Sequence, residues 1–193
     1  MQGKIVEFGT LTAEQKDAAV ELFMSGFGRY MTFSRDEELK RKLFLRIFDP
    51  MLFKCYVEEN QVLGLMGLGT NRKRPINFRQ DICREYFGNI RGSAISRQMN
   101  AVFQKPVVKL ETDLYLDVLV TDSRARKKGV GTVLVNYASG LEGFQVLYTE
   151  VFSRNTSAIC FYRKNGFVTD KKKKFSLLRL QGSGYPIRMR KNV

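Results

Sequence analysis

Leu114 to Thr121 reads LYLDVLVT, a strong strand. It passes through a short loop into Arg126-Lys127-Lys128-Gly129-Val130-Gly131 and an apolar helix over Gly131 to Leu141. A strand that hands over to a helix through a basic, glycine-bearing turn limits the fold, because sheet and helix must bury their apolar faces against each other. The turn is also a cradle for an anion. N–H groups of a first helical turn lack internal partners, converge on one spot and carry the positive end of the helix dipole. Gly129 and Gly131 have no side chains to keep a phosphate from the backbone, and Arg126, Lys127 and Lys128 add full charges around it. The string is neither G-x-G-x-x-G nor the P-loop pattern G-x-x-x-x-G-K-[ST].

The rest of the chain alternates strands and helices. Lys4 to Phe8 reads as a strand, and Thr12-Ala13-Glu14-Gln15 is a capping box opening a helix to about Ser25. Ser34-Arg35-Asp36-Glu37 is a second capping box, before a helix that Asp49-Pro50 stops. Leu52 to Glu58 and Gln61 to Thr70 are β-rich runs joined by Glu59-Asn60 as a hairpin. Residues 78–104 look helical, with interruptions near Gly88 and Gly92. Val146 to Phe152 is a strand, Ser157 to Lys164 a helix and Phe175 to Leu180 a closing strand. The pattern predicts one α/β (α+β) domain over residues 1–180. A basic, mobile C-terminal tail over 181–193 follows, carrying Gly182, Gly184 and Pro186.

Composition narrows the chemistry. The 193 residues contain no histidine, which excludes Ser-His-Asp and Cys-His catalysis, histidine zinc sites and histidine general bases. Cys55, Cys83 and Cys160 lie far apart, a poor disulfide framework and a poor metal site, so they read as reduced, mostly buried thiols and no metal is expected. The N-terminal residues carry no apolar signal segment and no run of about 18 apolar residues occurs, so the expected location is cytoplasmic, with no membrane partner. The formal net charge of +14 points to a polyanionic partner, such as a nucleic acid or a phosphate-rich cofactor.

A second motif follows the strand LYTEVF: Asn155, Ala158, Tyr162, Gly166 and Phe167 spell N-x-x-A-x-x-x-Y-x-x-x-G-F. Together with R-x-x-G-x-G at Arg126, Gly129 and Gly131, and in that order, it resembles the GNAT superfamily of acyl-CoA-dependent N-acyltransferases over about residues 112–168. The resemblance implies a mixed, mostly antiparallel central sheet flanked by helices and splayed at the cofactor cleft between LYLDVLVT and VLYTEVF. It implies acetyl-CoA as cosubstrate, its pantetheine arm pairing with backbone from Leu119 through Val120 to Thr121 as an added strand. The pyrophosphate would sit on the N–H groups of Lys127, Lys128, Gly129, Val130, Gly131 and Thr132, beside Arg126. Asn155 would hydrogen-bond the pantetheine arm, and Tyr162 would stand near the thioester sulfur. Two departures stand out. Lys127 occupies a place where the family often has glycine, and Arg72 to Lys109 has no family counterpart.

Each of these residues also has a plainer reading. An asparagine ahead of a helix is usually its N-cap, and Tyr162 beside Phe161 also suits a core position. A thiolate leaves more readily with a proton, which is the chemical case for Tyr162. A primary amine of lysine type, pKa about 10.4, must lose a proton before attack. Asp117, of the same strand parity as Leu119 and Thr121, is the candidate base, with an ion pair as its plainer role; Glu111, Asp113 and Glu150 are less well placed. Cys160 reads as a buried helical thiol, so direct attack within a ternary complex is preferred over an acyl-cysteine.

Coenzyme A would neutralise only part of the charge. The run Lys171 to Lys174 and the basic C-terminus are either solvated or bind an acidic protein or RNA. The expected activity is transfer of an acetyl group from acetyl-CoA to a primary amine of a small molecule or protein, by a monomer or homodimer. The acceptor surface is expected around residues 27–35 and 72–105. The rival readings are a nucleic-acid-binding module and an acyl-CoA sensor without turnover.

Overall fold

The computed structural model describes residues 2–172 and 184–193. Seven strands, β1 (Lys4–Glu7), β2 (Phe53–Glu58), β3 (Gln61–Gly69), β4 (Asp113–Thr121), β5 (Val146–Phe152), β6 (Val168–Lys172) and β7 (Pro186–Asn192), form one sheet in the order β1-β2-β3-β4-β5-β7-β6. Every neighbouring pair is antiparallel except β4 with β5. Six helices flank it: α1 (Ala13–Phe27), α2 (Glu37–Ile47), α3 (Gln80–Phe87), α4 (Asn89–Phe103), α5 (Val130–Ser139) and α6 (Thr156–Lys164). The expected mixed, mostly antiparallel sheet flanked by helices is the observed architecture.

Strand alternation divides the interior into two cores. On one side Phe23, Phe44, Phe53, Phe78 and Ile82 join α1–α4 to the sheet; on the other Leu116, Leu134, Leu147, Phe167 and Met189 join α5 and α6 to it. Neighbours Cys55 and Tyr56 of β2 fall in different cores, as a period of two requires.

Local signals explain most element ends. Thr12 accepts from Gln15 N (3.3 Å) while the Gln15 side chain accepts from Thr12 N (3.2 Å), the capping box of α1. Ahead of α2 the cap is Asp36, whose Oδ1 accepts from Leu39 N (2.9 Å), and Ser34 accepts from Asp36 N instead of capping the helix. Glu59 and Asn60 both take positive φ, 48° and 63°, the geometry of a two-residue hairpin turn that matches strand twist. The helical segment after Phe78 breaks only at Gly88 (φ 77°). Gly92 lies buried within α4, where a Cβ would stand 2.3 Å from the Cys83 carbonyl oxygen, so its bareness lets α3 and α4 cross closely.

The C-terminus differs from the expected mobile tail. Pro186–Asn192 is β7, paired along its length with β5 and on its other edge with β6. Ile187 and Met189 face the α5–α6 core and supply the alternation that seats it; short apolar spacing among arginines hid this strand in the sequence. The strand predicted over 175–180 lies outside the described residues.

Cys55 and Cys83 are buried, and burial pushes their thiols up to about 12 and about 11 respectively. Cys160 is exposed on α6, which corrects the expectation of a buried thiol there. A disulfide reagent at neutral pH is therefore expected to titrate one thiol of the folded protein rapidly and the other two only after denaturation. Two fast thiols would contradict this packing. Among the described residues no helix is long and apolar enough to cross a membrane, and no group of three potential metal ligands occurs.

Candidate active site

β4 and β5 pair in parallel only from Asp113–Val146 to Leu116–Thr149, although β4 runs on to Thr121 and β5 to Phe152. The two strands thus part after Leu116 and Thr149. Beyond that point β4 stays bonded to β3 along its other edge, as far as Thr121 opposite Gly64. Its edge toward β5, from Val118 to Thr121, is left to accept an extended ligand in the manner of an added strand.

A bulge marks the parting. On β3 Gly67 faces Val118 and Leu68 faces Leu116, so Asp117 is an extra residue with no register partner. The alternation slips there: Leu114 and Leu116 belong to the α5–α6 core, Val118 and Val120 to the opposite one. Period-two counting across LYLDVLVT therefore fails at Asp117, and the parity with Leu119 and Thr121 inferred for it does not hold.

Asp117 is also committed elsewhere. Arg74 donates from Nε to its Oδ2 (2.6 Å) and from Nη2 to its Oδ1 (2.7 Å), and both side chains are under 10% exposed, 7% and 9%. Burial works against the guanidinium's charge, the Asp117 contacts outweigh it, and the pKa of Arg74 is raised. Both carboxylate oxygens are thereby engaged by a buried arginine and are not presented to an incoming amine. The ion-pair role, the plainer alternative for Asp117, is the one the geometry displays.

The cradle forms as its residues suggest, with two refinements. Lys127 (φ 61°) and Gly129 (φ 84°) both take left-handed backbone and fold the turn under α5. The first helical bond of α5 runs from Val133 N to Gly129 O (3.0 Å), so the N–H groups of Val130, Gly131 and Thr132 stand ahead of the ladder. Lys128 N, by contrast, donates to Ala125 O (3.2 Å) and is not available to a phosphate. Gly131 is bare for packing: a Cβ there would lie 3.1 Å from the Phe161 ring of α6. Of the two glycines, Gly129 shapes the turn and Gly131 seats α6. Arg126 sits at the edge of the turn, lining with Arg124, Asp122 and Glu21 a groove of about 530 Å³ between α1, the β2–β3 turn and the β4–α5 loop.

Helix α6 opens at the splayed end of β5. Asn155 caps it, Oδ1 accepting from Ala158 N (3.1 Å) and from Ser157 Oγ (3.1 Å). Two turns on, Tyr162 is buried between Phe161 and Phe167, ring centroids 5.3 and 5.2 Å away. Its phenol is pushed up to about 12 by burial, against the opposing effect of a hydrogen bond with Thr149. Thr149 in turn donates to the Leu116 carbonyl (3.0 Å), so Tyr162 is tied to the last paired rung before the strands part. Thr149, 1% exposed, is a site residue that the sequence signalled only by its inward parity on β5.

On the other face of the gap the last turn of α1 and the α1–α2 connection form a roof. A Cβ on Gly26 would lie 3.1 Å from Val120 of β4, and the Tyr30 ring rests 5.7 Å from that of Phe152 on β5. Glu150, the first residue of β5 past the last rung, lies opposite Arg188 of β7. It is close enough to Arg74 and Tyr115 to perturb both.

A sheet opened along one strand edge, an anion cradle at the head of α5 and a buried phenol beyond the opening together form a candidate site for acyl transfer. Residues 82–169 match the family described as an acetyltransferase (GNAT) domain, so the recognition from the two motifs stands. None of the curated proteins gives a match. Among solved structures the fold is similar to an N-acetyltransferase from Staphylococcus aureus (11% identity, TM-score 0.65, covering 97% of this chain and 99% of that one). It is similar as well to Ard1 from Thermoplasma volcanium (17%, 0.58, 100% and 99%) and to a GNAT-family acetyltransferase from Bacillus cereus (13%, 0.59, 100% and 98%). At these identities the likeness is one of fold.

Proposed function

We propose that this protein transfers an acetyl group from acetyl-CoA to a primary amine of a small molecule or protein, by direct attack in a ternary complex. The observation that carries the reading is the coincidence of three features along one line: the cradle at Gly129–Thr132, the unpaired edge of β4 at Val118–Thr121, and Tyr162 tied through Thr149 to the rung where the strands part. Pyrophosphate, pantetheine arm and thioester of acetyl-CoA follow one another in that order. Leu119, Val120 and Thr121 would offer backbone to the arm's amides. Asn155, whose Oδ1 caps α6, would reach it with its Nδ2 donor. Arg126, Lys127 and Lys128 would balance the phosphates, screened and exposed as they are.

In this reading the amine enters beneath the Tyr30 roof, on the face of β5 that carries Glu150 and Phe152. Glu150 replaces Asp117 as the proposed base, receiving the ammonium proton directly or through water. Attack on the thioester carbon gives a tetrahedral oxyanion with a positively charged nitrogen. Its collapse breaks the C–S bond, and Tyr162 supplies the proton to sulfur. The proton that the nitrogen sheds on becoming an amide returns to the phenolate through water. The test is release of free thiol from acetyl-CoA on adding candidate amines, from small polyamines to peptides, after Cys160 has been blocked. Amine-dependent release carrying the acetyl group onto nitrogen supports the reading. Binding of acetyl-CoA with no transfer to any amine class would favour a sensor instead.

A further inference from the structure

We infer that Arg74 is a positioning residue for the acetyl-transfer site: by clamping Asp117 it holds the bulge that turns β4 away from β5. The inference rests on the acetyl-transfer reading for its catalytic consequence, and on packing alone for its structural one.

A bulge is a place where a strand has lost a ladder register and is soft unless something fixes it. Here the extra residue is Asp117, and everything the cofactor needs from β4 lies immediately beyond: the free edge at Val118–Thr121 and the change of facing that sends Leu119 toward α5. The fixing group is one guanidinium. Besides its two bonds to Asp117, Arg74 donates from Nη1 to the Lys105 carbonyl (2.8 Å). It lies over the Tyr115 ring, 5.3 Å from the centroid. Its Cδ would be 3.1 Å from any Cβ placed on Gly69, the last residue of β3, so that glycine makes room for it.

Arg74 and Lys105 are near the two ends of the segment Arg72 to Lys109, for which the motifs alone suggested no family counterpart; the family match in fact begins inside it, at residue 82. Arg74 thus ties that segment to the thioester end of the site with a planar, five-donor side chain, a geometry a lysine cannot reproduce, while Arg188 of β7 holds it again at the Val107 carbonyl (2.9 Å). Because both charges are buried, the pair acts as a unit: losing one member strands the other.

The test uses three full-length variants. Arg74→Lys keeps the charge and loses the fork; Arg74→Met/Asp117→Leu removes both charges together and keeps the protein foldable if the single change does not; Asp117→Asn tests for a base. Three readouts follow: hydrogen exchange over residues 114–121 against 130–139, the rise in melting temperature caused by CoA, and the split between kcat and KM for acetyl-CoA. With the pair disrupted, exchange over 114–121 should rise tenfold or more with 130–139 unchanged. The CoA-induced rise should shrink but persist, because the cradle is intact while the Val118–Thr121 edge is loosened, and kcat should fall tenfold or more, by a larger factor than KM for acetyl-CoA rises. In Asp117→Asn the acidic limb of the pH–rate profile should stay where it is in the wild type. Wild-type exchange and kcat in both arginine variants would overturn the inference, as would loss of the acidic limb in Asp117→Asn. If the wild type binds no acetyl-CoA, the acetyl-transfer reading fails, and the exchange arm alone decides whether Arg74 holds the bulge.

Discussion

Tyr162→Phe is expected to lower kcat by about a hundredfold or more while leaving KM for acetyl-CoA within about twofold, the mark of an interaction made only as the leaving group departs. The change removes one oxygen and keeps the ring that packs between Phe161 and Phe167. Loss of the hydrogen bond with Thr149 costs on the order of 1 kcal/mol of stability, too little to unfold the protein. The sign of the pKa shift fixes the direction of proton flow. Burial pushes the phenol up to about 12, so it holds its proton throughout the neutral and mildly alkaline range and acts as a donor, not as a base. Any ascending limb of the pH–rate profile between about pH 6 and 9 must then come from the amine or its base, and should survive in Tyr162→Phe. Steady-state kinetics of the purified variant, with the melting temperature as a folding control, decide the point. A kcat within about twofold of wild type would return Tyr162 to the core residue it also resembles.

How much of this site was legible in the sequence depended on whether its chemistry lay in local patterns or in long-range pairing. The cradle, α6 with its cap and the strand before each are local: residue types, spacing and glycine placement specify them, and β5 appears over the predicted Val146–Phe152. The bulge at Asp117 is not local. It exists only because β3 pairs with β4 out of step between Gly67 and Leu68, more than forty residues away in sequence. Without it, period-two counting placed Asp117 beside the thioester and made it a base. The same distance hid its partner, since Arg74 sits among Arg72, Lys73 and Arg79 with nothing in the string to single it out. Strand β7 was lost for another reason. Its arginines and lysine dominate a composition reading, while the inward positions Ile187 and Met189 that make it a strand are few. Gly131 shows the converse error, in which a right residue carried a wrong reason. Its place in the motif suggested access for phosphate, yet the ring of Phe161 is what occupies the space a side chain would take.

That distinction between the two glycines makes Gly129 the sharper test of cofactor binding. Gly129→Asp is expected to abolish the stabilisation that acetyl-CoA gives the wild-type protein. A ligand at about a hundred times its Kd stabilises the folded state by about 2.7 kcal/mol, which in a chain of this length raises the melting temperature by about 5–10 °C. At position 129 the backbone is left-handed (φ 84°), immediately ahead of the N–H groups of Val130, Gly131 and Thr132. An aspartate tolerates that φ better than most residues, at a cost of about 1–2 kcal/mol, so the ligand-free protein should melt a few degrees lower but still cooperatively. What it adds is a carboxylate where the pyrophosphate belongs. Gly129→Asn carries nearly the same shape and strain without the charge, and should keep part of the ligand-induced rise. The difference between the two variants is then the electrostatic share of the cradle, and it should narrow as salt is added. Scanning calorimetry of the three proteins with and without millimolar acetyl-CoA makes the comparison. A full rise in Gly129→Asp would place the cofactor elsewhere, because no phosphate shares a first helical turn with a fixed anion at its entrance.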